Sequence, residues 1–314
     1  MESEGVALGA GTGRSCGLSS DSALRLQSSA AMLPTHQDEF PQAAAHLLGA
    51  QLQFGPHCIR SLSGTDLSTA TNPTDCREDA CPSLTFDRIE LLELEFYLYS
   101  SEHPDPFVHR SHAQQRRAHW ALHRVGSGFR GGSFKGIDLA FASPPQFGGI
   151  LLRSIRIHSP GTAARLVCGP SLCVDALLAL AGADSPAALA GLLEGLPACG
   201  AAEPSARSPL SLHWGTPSQT VFSSARVGLR LPREAQQRRS AMEYIDRPYR
   251  FLTEPRLPKG RAQLALQLLA AGHSHDTICK LMGARPRWLE QLARHASSCH
   301  SEGTVAGASA MSKG

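Results

Sequence analysis

The sequence has neither a long apolar run nor a targeting segment at its start. No uninterrupted stretch of about 18 apolar residues occurs, so no membrane span is expected. The first residues include Glu2 and Glu4 and lack the basic and apolar regions of a secretory signal or transit peptide. The nine cysteines have no even spacing, which is typical of a reduced compartment. These absences predict an intracellular protein, nuclear if eukaryotic and cytoplasmic if bacterial.

A tight cysteine pair is also missing. Cys76 and Cys81 lie five residues apart, and a zinc site would need Cys58 or His57 as a further ligand. Structural zinc usually uses a closer Cys-x-x-Cys pair. Residues 61–85 are dense in Ser, Thr, Asp, Asn and Pro, so we interpret them as a polar insertion between two strands. The sequence therefore predicts no metal site.

Acidic residues are absent from one long stretch. Between Pro106 and Ile137 there is no Asp or Glu, although the net charge of the whole chain is only +3. The basic residues of this stretch are Arg110, Arg116, Arg117, Arg124, Arg130 and Lys135, and its histidines are His109, His112, His119 and His123. Such a local concentration of positive charge suits an anionic polymer as ligand.

The segments that flank the basic stretch have the pattern of strands. In 88–98, Glu93, Glu95 and Tyr97 alternate with apolar residues and so share one face. The apolar run 148–153 ends on Arg153. Further strand patterns occur at 119–123, 134–141 and 149–157, and one or two more at 207–231, while helical periodicity occurs at 38–53 and 169–180. The sequence predicts an α+β fold with a curved, predominantly antiparallel sheet and packed helices.

Composition divides the chain into four parts. Residues 1–35, rich in Gly, Ser and Ala, predict a disordered arm, and residues 297–314 predict a disordered tail. Residues 38–257 form the main domain. In 258–296 three short helices resemble a helix-turn-helix, with helices over about 275–282 and 285–294 and with Arg285, Arg287 and Arg294 facing nucleic acid. The alternative is a three-helix cap packed on the main domain.

Four sets of residues in the main domain occur in an order that carries a resemblance. They are Ala44–Leu52, Glu93–Leu98, Gly148–Arg153 with Gly169–Leu177, and Ala225–Leu229 with Arg247–Phe251. Together they resemble the alkyladenine (3-methyladenine or methylpurine) DNA glycosylase family over residues 38–256. The chain is similar to a divergent member of that family with a helix-turn-helix-like extension.

The resemblance implies a monofunctional hydrolase and a set of site residues. The protein would bind double-stranded DNA as a monomer, flip an alkylated or deaminated purine and hydrolyse its N-glycosidic bond without a metal or organic cofactor. Glu95 would deprotonate the water and Arg153 would position it. Tyr97, His109 and His123 would hold the base between them. The residues expected to bind phosphates are Arg116, Arg117, Arg124, Arg130 and Lys135.

Two positions depart from the family pattern. His123 stands where the family has a second tyrosine, and Asp138 stands where a family asparagine rejects guanine-type amino groups. An ionised Asp only accepts hydrogen bonds, so substrate preference does not carry over. The family's wedge residue has no clear counterpart, and Phe129 or Arg130 in the loop 126–132 is the candidate. Two alternatives stay open: a nucleic-acid-binding protein that has lost catalysis, and a scaffold without nucleic-acid affinity.

Overall fold

The computed structural model describes residues 31–54, 87–199, 209–218 and 220–301. The predicted polar insertion with Cys58, Cys76 and Cys81 lies outside these ranges, as do residues 1–30 of the predicted arm and 302–314 of the predicted tail. The strands are β1 Gln51–Phe54, β2 Asp87–Tyr99, β3 Trp120–Leu122, β4 Arg124–Val125, β5 Gly128–Phe129, β6 Ile137–Ala140, β7 Phe147–His158, β8 Arg165–Cys168, β9 Leu210–His213, β10 Phe222–Ser224 and β11 Arg250–Leu252. The α-helices are α1 Phe40–Leu48, α2 Pro170–Ala181, α3 Pro186–Leu193, α4 Ala235–Ile245, α5 Arg261–Ala270, α6 His275–Met282 and α7 Pro286–Ser301.

The long antiparallel ladder between β2 and β7 is the centre of the fold. Tyr97 pairs with Gly149 at one end of this ladder, and Arg88 pairs with His158 at the other. The sheet continues in the order β10-β11-β2-β7-β6-β3, while β1 joins β2 to β9 and β8 pairs with β7. Register shifts around Glu93 interrupt the ladder. Such a bulge bends the strand and re-aims its side chains. The α+β fold with an antiparallel sheet is therefore confirmed.

The sheet is covered on both faces, and this explains why β2 does not alternate between buried and exposed residues. Leu94 and Phe96 belong to the main core, together with Phe40 of α1 and Leu177 of α2. Leu92 belongs instead to a second core formed with the C-terminal helices. The polar residues between these positions are enclosed by protein rather than by water. A buried carboxylate needs charged or hydrogen-bonding partners.

The three C-terminal helices pack on the main domain. Ile278, Met282 and Leu289 share their core with Leu92 and Leu252 of the sheet. The middle helix runs over His275–Met282, as predicted, and ends at Gly283 in the left-handed conformation. The three helices therefore pack on the main domain as a helical cap, which was the alternative interpretation. The surface of the cap that faces away from the sheet takes no part in this packing.

Several boundaries differ from the predictions. The residues 51–53, predicted at the end of a helix, begin a strand that is held between β2 and β9. Leu33, predicted within the disordered arm, is buried in the main core. Helix α7 continues to Ser301, into the predicted tail. Ser171, in the first turn of α2, donates a hydrogen bond to the carbonyl of Gly132.

Among the described residues, no single helix has both the length and the apolar character that a membrane span needs. In the part of the chain that the structure describes, α2 and α3 have this length and apolar character only when they are taken together, and they are bent by 66° relative to each other.

Candidate active site

One pocket of about 290 Å³ is lined by half of the site residues predicted from the sequence. This size is at the lower end for small-molecule sites. Of the predicted catalytic, base-binding and DNA-binding residues, the pocket is lined by Tyr97, His109, His123, Lys135, Asp138 and Arg153. They come from β2, from the loop after β2, from the ends of β3 and β6, and from β7. The antiparallel pairing of β6 and β2 with β7 brings these distant parts of the chain together.

Glu95 lies immediately behind the pocket wall and is fully buried. One of its oxygens accepts a hydrogen bond from the Val227 backbone N–H at 2.6 Å. The other accepts hydrogen bonds from the Tyr97 hydroxyl at 2.8 Å and from Arg153 Nη1 at 3.2 Å. All three donors line the pocket. A carboxylate has about four acceptor positions, and these hydrogen bonds fill three of them.

Arg153 connects Glu95 to a second buried carboxylate. Its Nε donates to Glu93 at 3.1 Å, and Glu93 also accepts from Arg250 Nε at 2.6 Å. Burial would lower the pKa of Arg153, but the negative charges of Glu95 and Glu93 outweigh this and raise it. Two carboxylates and two guanidinium groups thus balance one another inside the protein. The guanidinium of Arg153 is held in one orientation because its Nε binds Glu93 and its Nη1 binds Glu95.

Tyr97 is supported from behind by another ion pair. The guanidinium of Arg226 lies 4.6 Å from the centre of the Tyr97 ring. Arg226 is fully buried and donates to Asp105 at 2.6 Å. Burial, and then the nearby charge of Glu95, raise the pKa of Tyr97 well above its usual value. The hydroxyl therefore stays protonated and donates to Glu95, and the ring that Arg226 contacts is part of the pocket lining.

His123 and Asp138 form a pair on the opposite wall. His123 Nε2 lies 2.9 Å from one Asp138 oxygen, and Gln114 Nε2 donates to the other at 3.0 Å. Burial opposes ionisation of Asp138, but the charge of His123 and the hydrogen bonds from His123 and Gln114 outweigh it and lower the pKa. The ring of His109, exposed at the rim, meets the His123 ring at 4.6 Å between centroids. Partial burial and the charge of His123 lower the pKa of His109, so that it stays neutral.

The wall around Asp138 depends on two glycines. A Cβ at Gly149 would lie 2.5 Å from Asp138 Oδ2 and 2.9 Å from Gln114 Nε2. A Cβ at Gly136 would lie 2.5 Å from His123 Nδ1. These separations are far below ordinary contact, so the absence of both side chains allows the His123–Asp138 pair to form.

Lys135 lies at the pocket but is already paired. Its ammonium group is 2.5 Å from the carboxylate of Asp175 on α2, and its side chain is largely buried. The neighbouring Phe134 also lines the pocket and is 71% exposed. Lys135 and the hydrogen bond from Ser171 to Gly132 hold this short segment against α2. The segment therefore presents an apolar ring at the pocket mouth more readily than it presents a free cation.

Three of the predicted DNA-binding residues lie at a second groove. Arg116, Arg124 and Phe129 line a space of about 310 Å³ between the β4–β5 hairpin and α3. Arg130 donates from Nε to the backbone carbonyl of Arg124 and so stays next to this hairpin. Phe129 is a poor wedge, because its ring packs against the main core and lies 4.4 Å beneath the Arg124 guanidinium. At the tip of the hairpin the exposed apolar side chain is that of Val125, at 64%.

Arg117 binds backbone carbonyls. Its guanidinium donates to the backbone carbonyls of Leu33, Pro34 and Phe141 and is half-buried. These bonds attach the segment before α1 to the main domain. Arg117 therefore has a structural role in the main domain, and its predicted role in DNA binding stays a prediction.

Sequence reasoning missed several residues that complete the site. Gln114, Arg226 and Val227 all contact the residues that were predicted, but none lies near them in sequence. The resemblance noted for Ala225–Leu229 was the available signal for Arg226 and Val227. No comparable signal existed for Gln114. Within the described ranges no group of three or more metal-ligating side chains comes together.

The chain matches no protein-family model, and no curated protein is significantly similar to it in sequence.

Proposed function

We propose that this protein is a DNA glycosylase-like hydrolase that accepts a flipped, damaged purine and hydrolyses its N-glycosidic bond. The main support is the meeting of Glu95 and Arg153, from different strands, at 3.2 Å behind a pocket that Tyr97 also lines. A base within a duplex cannot reach such a pocket unless it is flipped out. The pocket would then receive the base, and the surrounding basic surface would hold the backbone.

The proposed chemistry uses one water and three fixed groups. The water forms a bond to C1′ while the C1′–N bond breaks, and the electron pair of the broken bond leaves with the purine. Glu95 accepts the proton of this water through its remaining acceptor position, and Arg153 holds the carboxylate in orientation. The Val227 backbone N–H holds the other oxygen. The guanidinium of Arg153 cannot swing away without removing the ion pair of the buried Glu95 and one of the two ion pairs of Glu93.

Base recognition follows from the two walls of the pocket. Tyr97, supported by Arg226, offers one aromatic surface. His109 and His123 contact each other on the other side. Stacking between aromatic surfaces is worth about 1–3 kcal/mol per base, comparable to the few kcal/mol that flipping costs. The proposed complex needs neither a metal nor an organic cofactor.

An alternative has one observation in its favour. Glu95 has no exposed surface, and three donors already bind it. A protein that binds nucleic acid through the same surface but no longer hydrolyses the bond would keep such a carboxylate for its structural role. In that case a duplex would bind with strong salt dependence, and no base would be released.

Base release from damaged duplexes tests the proposal. Purified protein is incubated with dimethyl sulfate-treated DNA and with duplexes containing hypoxanthine or ethenoadenine, and released bases are measured by chromatography. We expect at least one lesion to be released faster than by spontaneous loss. Glu95→Gln should remove this activity, because an amide does not take up the water's proton.

A matched control separates catalysis from binding. Glu102→Gln changes an exposed carboxylate outside the pocket and should leave release unchanged. Gel shift measures the affinity of Glu95→Gln for the same duplex. We expect this affinity to remain within about threefold of that of the unmodified protein, which is less than a loss of about 1.4 kcal/mol in binding free energy. No release above spontaneous loss by the unmodified protein would refute the enzymatic proposal, and retained binding would then favour the alternative. Enhanced release that Glu95→Gln leaves unchanged would exclude Glu95 as the group that takes the water's proton.

A further inference from the structure

The wall opposite Tyr97 has a chemical character that restricts the ligand. Asp138 lines the pocket, its side chain is 3% exposed, and it is ionised. An ionised carboxylate accepts hydrogen bonds and donates none. A ligand atom that meets it must therefore be a donor, because an acceptor there would face a buried negative charge without compensation.

The carboxylate is also fixed in orientation. His123 binds one oxygen, Gln114 binds the other, and Gly149 leaves room for both partners. Each oxygen retains a second acceptor position. Because both carboxylate oxygens are held, the Asp138 side chain cannot rotate away from an unsuitable ligand. A ligand without a donor at this position is therefore disfavoured.

Purine lesions differ in what they would present to this wall. Alkylated adenines and guanines keep an exocyclic amino group, which is a donor. Hypoxanthine has lost that group by deamination, and ethenoadenine has it closed into a ring. Hypoxanthine keeps its ring N1–H as a donor but offers one donor fewer than guanine, and ethenoadenine offers none at that edge. The lesions therefore differ in how many donors they present to a carboxylate.

We propose that Asp138, held by His123 and Gln114, selects purines that keep an exocyclic amino group and rejects deaminated ones. This selectivity rests on the proposed function of the pocket but concerns which bases enter it. A single buried polar group left without its partner is enough for a discrimination of about tenfold or more.

Three methylated bases test the selection. A strand that is otherwise free of purines carries one guanine or one hypoxanthine and is methylated at N7, so the two bases differ only in the 2-amino group. Release of 3-methyladenine from methylated DNA reports on the 6-amino group. We expect at least one amino-bearing base to be released about tenfold or more faster than 7-methylhypoxanthine, after correction for spontaneous loss. Equal or faster release of 7-methylhypoxanthine would overturn the proposal.

Binding separates this result from failure of the enzymatic proposal. If no base is released, gel-shift affinities for the guanine and hypoxanthine duplexes, and for a 3-methyladenine duplex, still report which base the pocket prefers. A preference for an amino-bearing base would support the role of Asp138 in a protein without catalysis. Equal affinities for all three would contradict it.

Two variants assign the effect to the wall. Asp138→Asn replaces one acceptor by a donor and should reduce the preference to about threefold or less, with 7-methylhypoxanthine improving in absolute terms. Gln114→Leu keeps the acid but removes one of its supports, and should give an intermediate preference. Far-UV circular dichroism checks that both are folded. A preference unchanged in two folded variants would exclude Asp138 as its source.

Discussion

Glu93 is the buried residue whose ionisation has the clearest energetic consequence. It is 1% exposed and lies between the guanidinium groups of Arg153 and Arg250. Burial favours the neutral acid, but the charges of Arg250 and Arg153 outweigh it and lower the pKa of Glu93 from its ordinary 4.5. A group of this kind stabilises the fold above its unfolded-state pKa, and the contribution is lost as the pH falls through the folded-state value.

Replacing Glu93 by Gln should therefore be strongly destabilising at neutral pH. The change leaves Arg153 and Arg250 with one carboxylate fewer in a buried site. Removing one partner of a buried pair costs about 3–5 kcal/mol. Urea denaturation at pH 7 measures the loss as a lower midpoint.

The loss of stability caused by Glu93→Gln should depend on pH. Below pH 4.5, protonation of Glu93 begins to remove the same charge from the unmodified protein, so the difference in stability between the two proteins should shrink. The control Glu102→Gln changes an exposed carboxylate, so its urea midpoint should match that of the unmodified protein both at pH 7 and below pH 4.5. A difference that grows on acidification would show that Glu93 is not held as an ion.

The sequence was informative about single residues where the pattern was local. Glu95 and Tyr97 share a strand face by spacing alone, and Arg153 ends an apolar run. Arg250 was visible only as part of a matched segment, and Gln114 was not distinguishable from other loop residues. Their roles arise from contacts across 157 and 24 residues of chain, which no local pattern records.

Among the elements, β7 must pass very close to its neighbours. Gly149 pairs with both Tyr97 of β2 and Ala140 of β6, and its missing side chain makes room for Asp138 and Gln114. Gly149→Ala should therefore destabilise the protein by about 1–3 kcal/mol, the usual cost of an overpacked core. The urea midpoint measures this effect, and the preference among methylated bases should weaken at the same time.

Gly191 provides a matched glycine control. It lies within α3, and a Cβ there would meet no atom within 4 Å. Gly191→Ala should raise stability by about 0.5–1 kcal/mol, because glycine is unfavourable inside a helix. If both alanine variants changed stability in the same direction, the close approach at Gly149 would not be the cause.

The elements were predictable to different degrees. The strands β2 and β7 are long, and their apolar runs indicated them within one or two residues at their ends. Strand β1 has four residues directly after a helix, so the helical pattern extended over it. Helix α4 buries only Ala241 and Tyr244 and thus has too weak an apolar stripe to be identified.

At the scale of the whole molecule, positive charge extends over the C-terminal helices. Residues 255–297 contain seven Lys or Arg and two Asp or Glu. The side chain of Lys259 lies at Gly169, next to Pro170 at the pocket, so this unit begins beside the proposed site. Arg285 and Arg287 are exposed at the start of α7. We therefore propose that the cap provides a second contact with DNA.

Salt dependence of DNA binding tests this contact. Each neutralised phosphate contributes about 0.9 to the slope of log affinity against log salt concentration. The double variant Arg285→Ala with Arg287→Ala should therefore reduce the slope by about 1.8 if both residues bind phosphates. The double variant Arg88→Ala with Arg165→Ala is the control, because it removes the same charge at the opposite end of the β2–β7 ladder. With the rise per residue of a strand, this end lies about 30 Å from Tyr97. The control should leave the slope unchanged. An unchanged slope in the first double variant would mean that the C-terminal helices only cover the sheet.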